Sequence, residues 1–200
     1  MSGYLVINAV SNALRRILWE DFDADPVVRP LIGNETAIVF RNPTETARDS
    51  GNRLSLWLYQ ITENEFVKNA PPVRVNGAGT STSTTKPTPL ALNLFYLLTP
   101  FGPSGDADHV ILGKTMQTFY DNATVILRDP ISAIAEELRI IFCRVTLEEL
   151  TRVWESLREP YRLSVCYQAR VVRIDSEAVV DTARVIEFTG GFGRELAVPA

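Results

Sequence analysis

The chain holds one histidine and two cysteines among its 200 residues. These scarcities exclude a good deal. A zinc site needs several His, Cys or carboxylate ligands gathered at short spacing, and His109 has no such companions, with both cysteines in distant segments. Two cysteines are too few for a disulfide framework. Cys143 and Cys166 fall inside predicted strands and read as reduced, packed thiols. Excess positive charge is also missing. Lys and Arg number 20 against 24 Asp and Glu, a net charge of −4, so a general nucleic-acid binder is not expected. No apolar run reaches the roughly 18 residues of a membrane span. The opening "MSGYLVINAVSNALRRILWED" lacks the basic leader and small-residue cleavage site of a secretory signal. Neither a nucleic-acid nor a membrane partner is expected.

The chemical motifs that come nearest fail on spacing. "LGKT" at Leu112–Thr115 resembles the end of a phosphate loop, but Asp108 stands where the first glycine belongs and the segment reads as helix. "DFDAD" at Asp21–Asp25 opens like a calcium loop, then meets Pro26 and Ile32 where Gly and Glu are required. "GGFGRE" near the C-terminal end has no strand-to-helix setting for a dinucleotide. The expectation is no catalytic residue, no metal and no cofactor. The rival reading, an enzyme built on His109 or a cysteine, would need partners that only the fold could supply.

What is present is ordinary globular material, 46% hydrophobic and 22% charged. A chain of this length buries roughly 70% of its unfolded surface and holds a core without metal or disulfide. Apolar doublets at Leu5/Val6, Ala9/Val10, Ala13/Leu14 and Ile17/Leu18 predict a helix over 4–19, ended by the acidic run before Pro26. "TAIVFR" (36–41), "RLSLWLYQI" (53–61) and "LALNLFYLLT" (90–99) read as strands. The last two are apolar on both faces, as in central strands covered on both sides. Between them, 69–89 is rich in Pro, Gly, Ser and Thr and reads as a mobile loop. Asp108 is a candidate cap for a helix over 109–123 carrying Leu112, Met116, Phe119 and Ala123 on one face.

The best-patterned stretch is "LRIIFCRVTLEELTRVWESLREPYRLSVCYQARVV", 138–172. It reads as strand, helix and strand. Thr146 and Glu149 make a capping box, Leu150, Val153, Trp154 and Leu157 a buried face, and Pro160 a stop. Short connections suggest a crossover and two parallel strands. The alternation slips at Val171/Val172, which predicts a bulge there or a change of burial. A further candidate strand, "ARVIEF", lies at 183–188. The organisation expected is one α/β (α+β) domain over 1–176, a mixed central sheet flanked by about three helices, and an extension over 177–200. Without catalytic chemistry, function falls to surfaces: the loop 69–89, the polar face of the last long strand with Arg162, Arg170 and Arg173, and the extension with Phe188 and Phe192. Sheet edges and extended tails suit strand addition by a partner.

Segments in a fixed order carry a resemblance. "INAVSNALRRIL", "VRPLIGNETAIVFRNPTE", "RLSLWLYQITENEFVKNAPP", "PLALNLFYLLTPFG", "DHVILGKTMQTFYDN" and "EELRIIFCRVTLEELTRVWESLREPYRLSVCYQARVVRIDS" together resemble the tail-terminator, or cap, family of phage-tail-like contractile injection systems. The resemblance covers about 4–176. It implies a non-enzymatic subunit of a six-fold ring at the baseplate-distal end, docked on the inner-tube protein and the sheath protein and ending both polymers. It also implies cytoplasmic assembly before the chain joins the particle. An assembly chaperone or small binding module for a tail component is the alternative.

Overall fold

The doublets of the N-terminal segment form helix α1, Val6–Ala24. The second member of each doublet, Val6, Val10, Leu14 and Leu18, is buried together with Phe22. Phe22 explains why α1 runs beyond the expected end at residue 19: its ring is fully buried and holds a further turn through the acidic run. The computed structural model describes residues 3–67, 73–76, 82–128, 135–176 and 180–183. After α1, Asp25 accepts backbone N–H bonds from Val27 and Val28 (2.9 and 3.2 Å). These bonds hold its carboxyl below the usual carboxylate range, with help from Lys114. Two short helices follow that sequence reading did not anticipate, α2 (Arg29–Ile32) and α3 (Pro43–Ala47). Gly33, at φ 87°, closes α2 in a conformation that favours glycine. The expected strand at 36–41 shrinks to β1, Ile38–Val39, because Asn34 caps a 3-10 turn over Glu35–Ala37.

Among the described residues the main sheet has six strands. In chain order these are β1, β2 (Leu54–Glu63), β5 (Leu90–Pro100), β6 (Thr124–Arg128), β7 (Ala135–Phe142) and β8 (Val165–Ile174). Their spatial order is β1-β2-β5-β8-β7-β6. Only β1 and β2 pair in parallel; the other neighbours are antiparallel. The expectation that the two strands of 138–172 run parallel is therefore wrong. Helix α5 (Leu147–Leu157) does not carry the chain across a face of the sheet. Its 11 residues lie at one end, where Cys143 N–H still bonds Cys166 O at 2.9 Å. The unit is a hairpin with a helix inserted in its loop.

The capping box forms as predicted: Glu149 N–H donates to Thr146 Oγ1 (3.3 Å), and Thr146 N–H donates to Glu149 Oε2 (2.8 Å). Of the expected buried face of α5, only Trp154 is fully buried; its indole N–H donates to Ser164 Oγ at 3.4 Å. The helix ends before Pro160, on Arg158 in the left-handed region (φ 57°). The predicted bulge in the last long strand is present at Arg170–Val171. Leu92 pairs Val172 and Leu94 pairs Ala169, so β8 carries one extra residue there.

Helices α1 and α4 (Gly105–Asp121) contribute to one core with Leu92, Leu94, Tyr96 and Leu98 of β5, Tyr167 and Ala169 of β8, and Leu138 and Ile140 of β7. Ser104, not Asp108, caps α4, accepting from Ala107 N–H at 3.2 Å. Met116 is partly exposed, and Ile111, Thr115 and Thr118 are buried alongside Leu112 and Phe119. The opposite face of the sheet carries half-buried Trp57, Tyr59 and Phe95. It is less covered than the doubly apolar strands suggested.

The segment 69–89, read as a loop, contains two strands: β3 (Val73–Asn76) and β4 (Thr82–Lys86). They form a three-stranded sheet, β3-β4-β9, with β9 (Val180–Ala183). Threonine and valine suit extended backbone. The low hydrophobicity of "TSTTK" hid this preference. The order of the small sheet repeats the order β2-β5-β8 of the large one. In sequence β3 follows β2, β4 leads into β5 and β9 follows β8, so the small sheet prolongs three central strands. Of the candidate strand 183–188, only Ala183 lies within the described residues.

Candidate interaction surfaces

Three surfaces meet the requirement of exposed, recognisable chemistry without a reaction centre. The first is the face of the sheet opposite α1 and α4. Arg139 of β7 is paired directly with Arg170 of β8, and their neighbours Ile140 and Ala169 are both buried in the core. Alternation therefore sends both arginines to the outer face. Arg173 stands further along β8, exposed, opposite Ala91. Arg139 is held by Glu137 at 3.0 Å and remains largely exposed. Of the sequence candidates, the structure brings Arg170 and Arg173 together on one strand and adds Arg139, which sequence reading missed. Only the strand register reveals it.

Arg162 has a different position. It lies ahead of β8, its guanidinium 4.6 Å from the centre of the Phe101 ring. It also bonds Asp108 Oδ2 at 3.3 Å. Asp108 Oδ1 in turn accepts from Gly102 N–H at 2.6 Å. Arg162 thereby ties the approach to β8 to the β5–α4 turn. Trp154, Phe101 and Arg162 line a cleft of about 250 Å³ with α3. Phe188 and Phe192 lie outside the described residues.

The second surface is a groove of about 640 Å³ between α1 and β6. Among the described residues β6 has a neighbouring strand on one side only. On the α1 side the groove is lined by the first member of each N-terminal doublet, Leu5, Ala9, Ala13 and Ile17, with Asn8, Asn12 and Arg16 beside them. One doublet series thus does two things, its second members filling the core and its first members facing the groove. The third surface is an apolar depression of about 450 Å³ between α4 and β7, with Tyr120 largely exposed and Phe142 half exposed. There Tyr167 packs edge-on against Phe119 and Phe142, centroids 4.9 and 5.4 Å apart.

The titratable groups build no reaction centre among the described residues. His109 sits in the first turns of α4, and no cluster of three or more potential metal ligands exists there. Cys143 and Cys166 are free thiols. Their mutual hydrogen bond pushes Cys143 up and Cys166 down. Burial and the Cys166 contact, 3.2 Å from its hydroxyl, raise Tyr59. No helix among the described residues is long and apolar enough to cross a membrane.

Comparison with known proteins agrees with this architecture. One solved structure, the PVC sheath/tube terminator of an extracellular contractile injection system in its extended state, shares the fold with a TM-score of 0.64 at 19% identity, covering 97% of this chain and 65% of that one. The tube-terminating cap of the anti-feeding prophage shares it with a TM-score of 0.56 at 19% identity, covering 91% and 60%. This chain spans less than two thirds of the length of either. No curated protein sequence matches it. The mixed α+β fold expected from the resemblance to tail terminators is thus the fold observed. The family model of the Pvc16 N-terminal domain matches residues 9–187, and the chain belongs to that family.

Proposed function

We propose that this chain is a structural terminator that ends the inner tube and the contractile sheath of a phage-tail-like injection system, as a ring at the end distal to the baseplate. The observation that carries this reading is the fold likeness to a sheath/tube terminator over nearly the whole chain, together with family membership over residues 9–187. The role is contact, not turnover. Six copies make the ring, the number implied by the resemblance to tail terminators; two different contact surfaces per copy close such a cycle when the rotation between copies is one sixth of a turn. The chain assembles in the cytoplasm and then stays with the particle. Arg139, Arg170 and Arg173 form a docking face for an acidic surface of tube or sheath. The region of Phe188 and Phe192 supplies an anchor on the extension.

Electron microscopy of particles assembled with and without the chain tests the proposal. Overlong or ragged tails in its absence support it. Uniform, cleanly finished tails without it overturn it. Deleting residues 176–200 removes β9 but none of the main sheet. That variant should keep its core and lose capping. An assembly chaperone would be absent from purified particles, whereas a terminator remains at one end in fixed amount.

A further inference from the structure

We propose that the groove between α1 and β6 receives the segment Arg184–Phe188 of a neighbouring copy as an added strand on β6. The groove is built for backbone. One side is Val125, Ile126 and Leu127 of β6, which among the described residues has a neighbouring strand on one edge only, so the backbone of its other edge can bond a further strand. On the α1 side, Ala9 and Ala13 extend no further than Cβ and so let another main chain approach. Leu5 and Ile17 bound that side with apolar side chains. An extended segment with alternate apolar side chains satisfies both requirements.

The chain carries one such segment immediately after β9. In an extended backbone, "RVIEF" (184–188) would place Ile186 and Phe188 on one side and Val185 and Glu187 on the other. It has five residues, as β6 does. Its direction selects a neighbour's groove over its own. Strand β9 pairs Val180 with Thr85 and Ala183 with Thr82. Thr85 lies on the side of β4 that leads into β5, and Thr82 lies toward the β3–β4 turn. The chain at Ala183 therefore heads away from the main sheet and from its own β6. A strand formed by the next residues on a neighbour's β6 would continue that outward course. This contact rests on the ring reading above and names how one copy holds the next.

The test uses the full chain and a labelled synthetic peptide covering residues 184–200, followed by fluorescence anisotropy. Saturable binding is expected, weakened at least about tenfold by Ala13→Glu, a change of about 1.4 kcal/mol or more. Ala13 is half-buried on α1, and glutamate is a good helix former, so circular dichroism should show an intact helix. The peptide should also protect the amides of 124–128 from hydrogen exchange. No binding up to about 1 mM, the level of weak association, to either the full chain or a chain cut after Ala183 would overturn the proposal. So would equal binding to the Ala13→Glu chain. Binding only to a chain cut after Ala183 would also overturn it where the full chain is monomeric in light scattering, since each copy's own tail then fills its groove; in an oligomeric full chain the same result supports it, since a neighbour's tail is already seated. Clean capping by Ala13→Glu would sink this contact and leave the terminator reading standing. Unchanged tails in the complete absence of the chain would sink that reading instead.

Discussion

Arg139 of β7 stands directly opposite Arg170 of β8, two cations on the same face of adjacent strands. Like charges so placed destabilise a sheet by about 0.2–1 kcal/mol, and Glu137 offsets part of this through its bond to Arg139. Arg170→Glu should therefore raise stability by up to about 1 kcal/mol in urea unfolding. The same change should weaken docking to an acidic partner. A fall in stability would show that Arg170 serves the fold and not a partner.

Ser11 and Tyr96 form the buried polar contact between α1 and β5, hydroxyl to hydroxyl at 2.8 Å. Ser11 also donates to the Ile7 carbonyl at 3.1 Å, which leaves its oxygen to accept from Tyr96. The two truncations should differ. Tyr96→Phe leaves Ser11 bonded to its helix and should cost about 0.5–1.5 kcal/mol. Ser11→Ala strands the Tyr96 hydroxyl in the core and should cost about 1–3 kcal/mol. Chemical denaturation of the two variants decides the order.

The pH dependence has two limbs. Asp25 and Glu149 are held below their ordinary values by backbone N–H bonds. Their contribution is present above the unfolded carboxylate range and is lost as pH falls through the lowered folded values. Glu149→Gln should flatten part of the acid limb. Burial pushes Tyr96 and Tyr167 up to about 12. Their neutral rings favour the folded state below pH 10, the ordinary tyrosine value, and this is lost between about 10 and 12. Absorbance at the tyrosinate band should show these two residues, together with Tyr59, staying neutral above pH 10 until the protein unfolds.

The thiols should be slow toward alkylating reagents. Cys143 is the more accessible, but its bond to Cys166 and partial burial keep it protonated. Cys166 is favoured as thiolate yet buried, with Tyr59 on its sulfur. Reaction rates at neutral pH should lie at least about tenfold below that of an exposed cysteine, and both should rise together on unfolding. Fast labelling of one cysteine in the native protein would contradict this packing.

Much of the architecture was legible because it is local. The doublets of α1, the alternation of β2 and β5, the T-x-x-E cap of α5 and the slip that marks the β8 bulge are all short-range patterns. β6 was missed because five residues at an edge leave a weak trace. Met116 was misplaced because periodicity gives a helix face but not what packs on it. The strands in 69–89 were missed because "TSTTK" has β propensity without hydrophobicity, and a third strand about a hundred residues away completes their sheet.

By itself the sequence determined that this protein has a packed α/β core, carries no complete catalytic or cofactor motif of the kinds tested, and places paired apolar residues along its first helix. Only the tertiary structure decided which member of each pair is buried and which faces the β6 edge, that β7 and β8 run antiparallel, and that Arg139 meets Arg170 while Arg162 is tied to Asp108. Helix period and strand alternation depend on neighbours a few residues apart. Strand direction, register and edges depend on segments far apart in the chain, whose pairing is settled when their apolar faces close on one core.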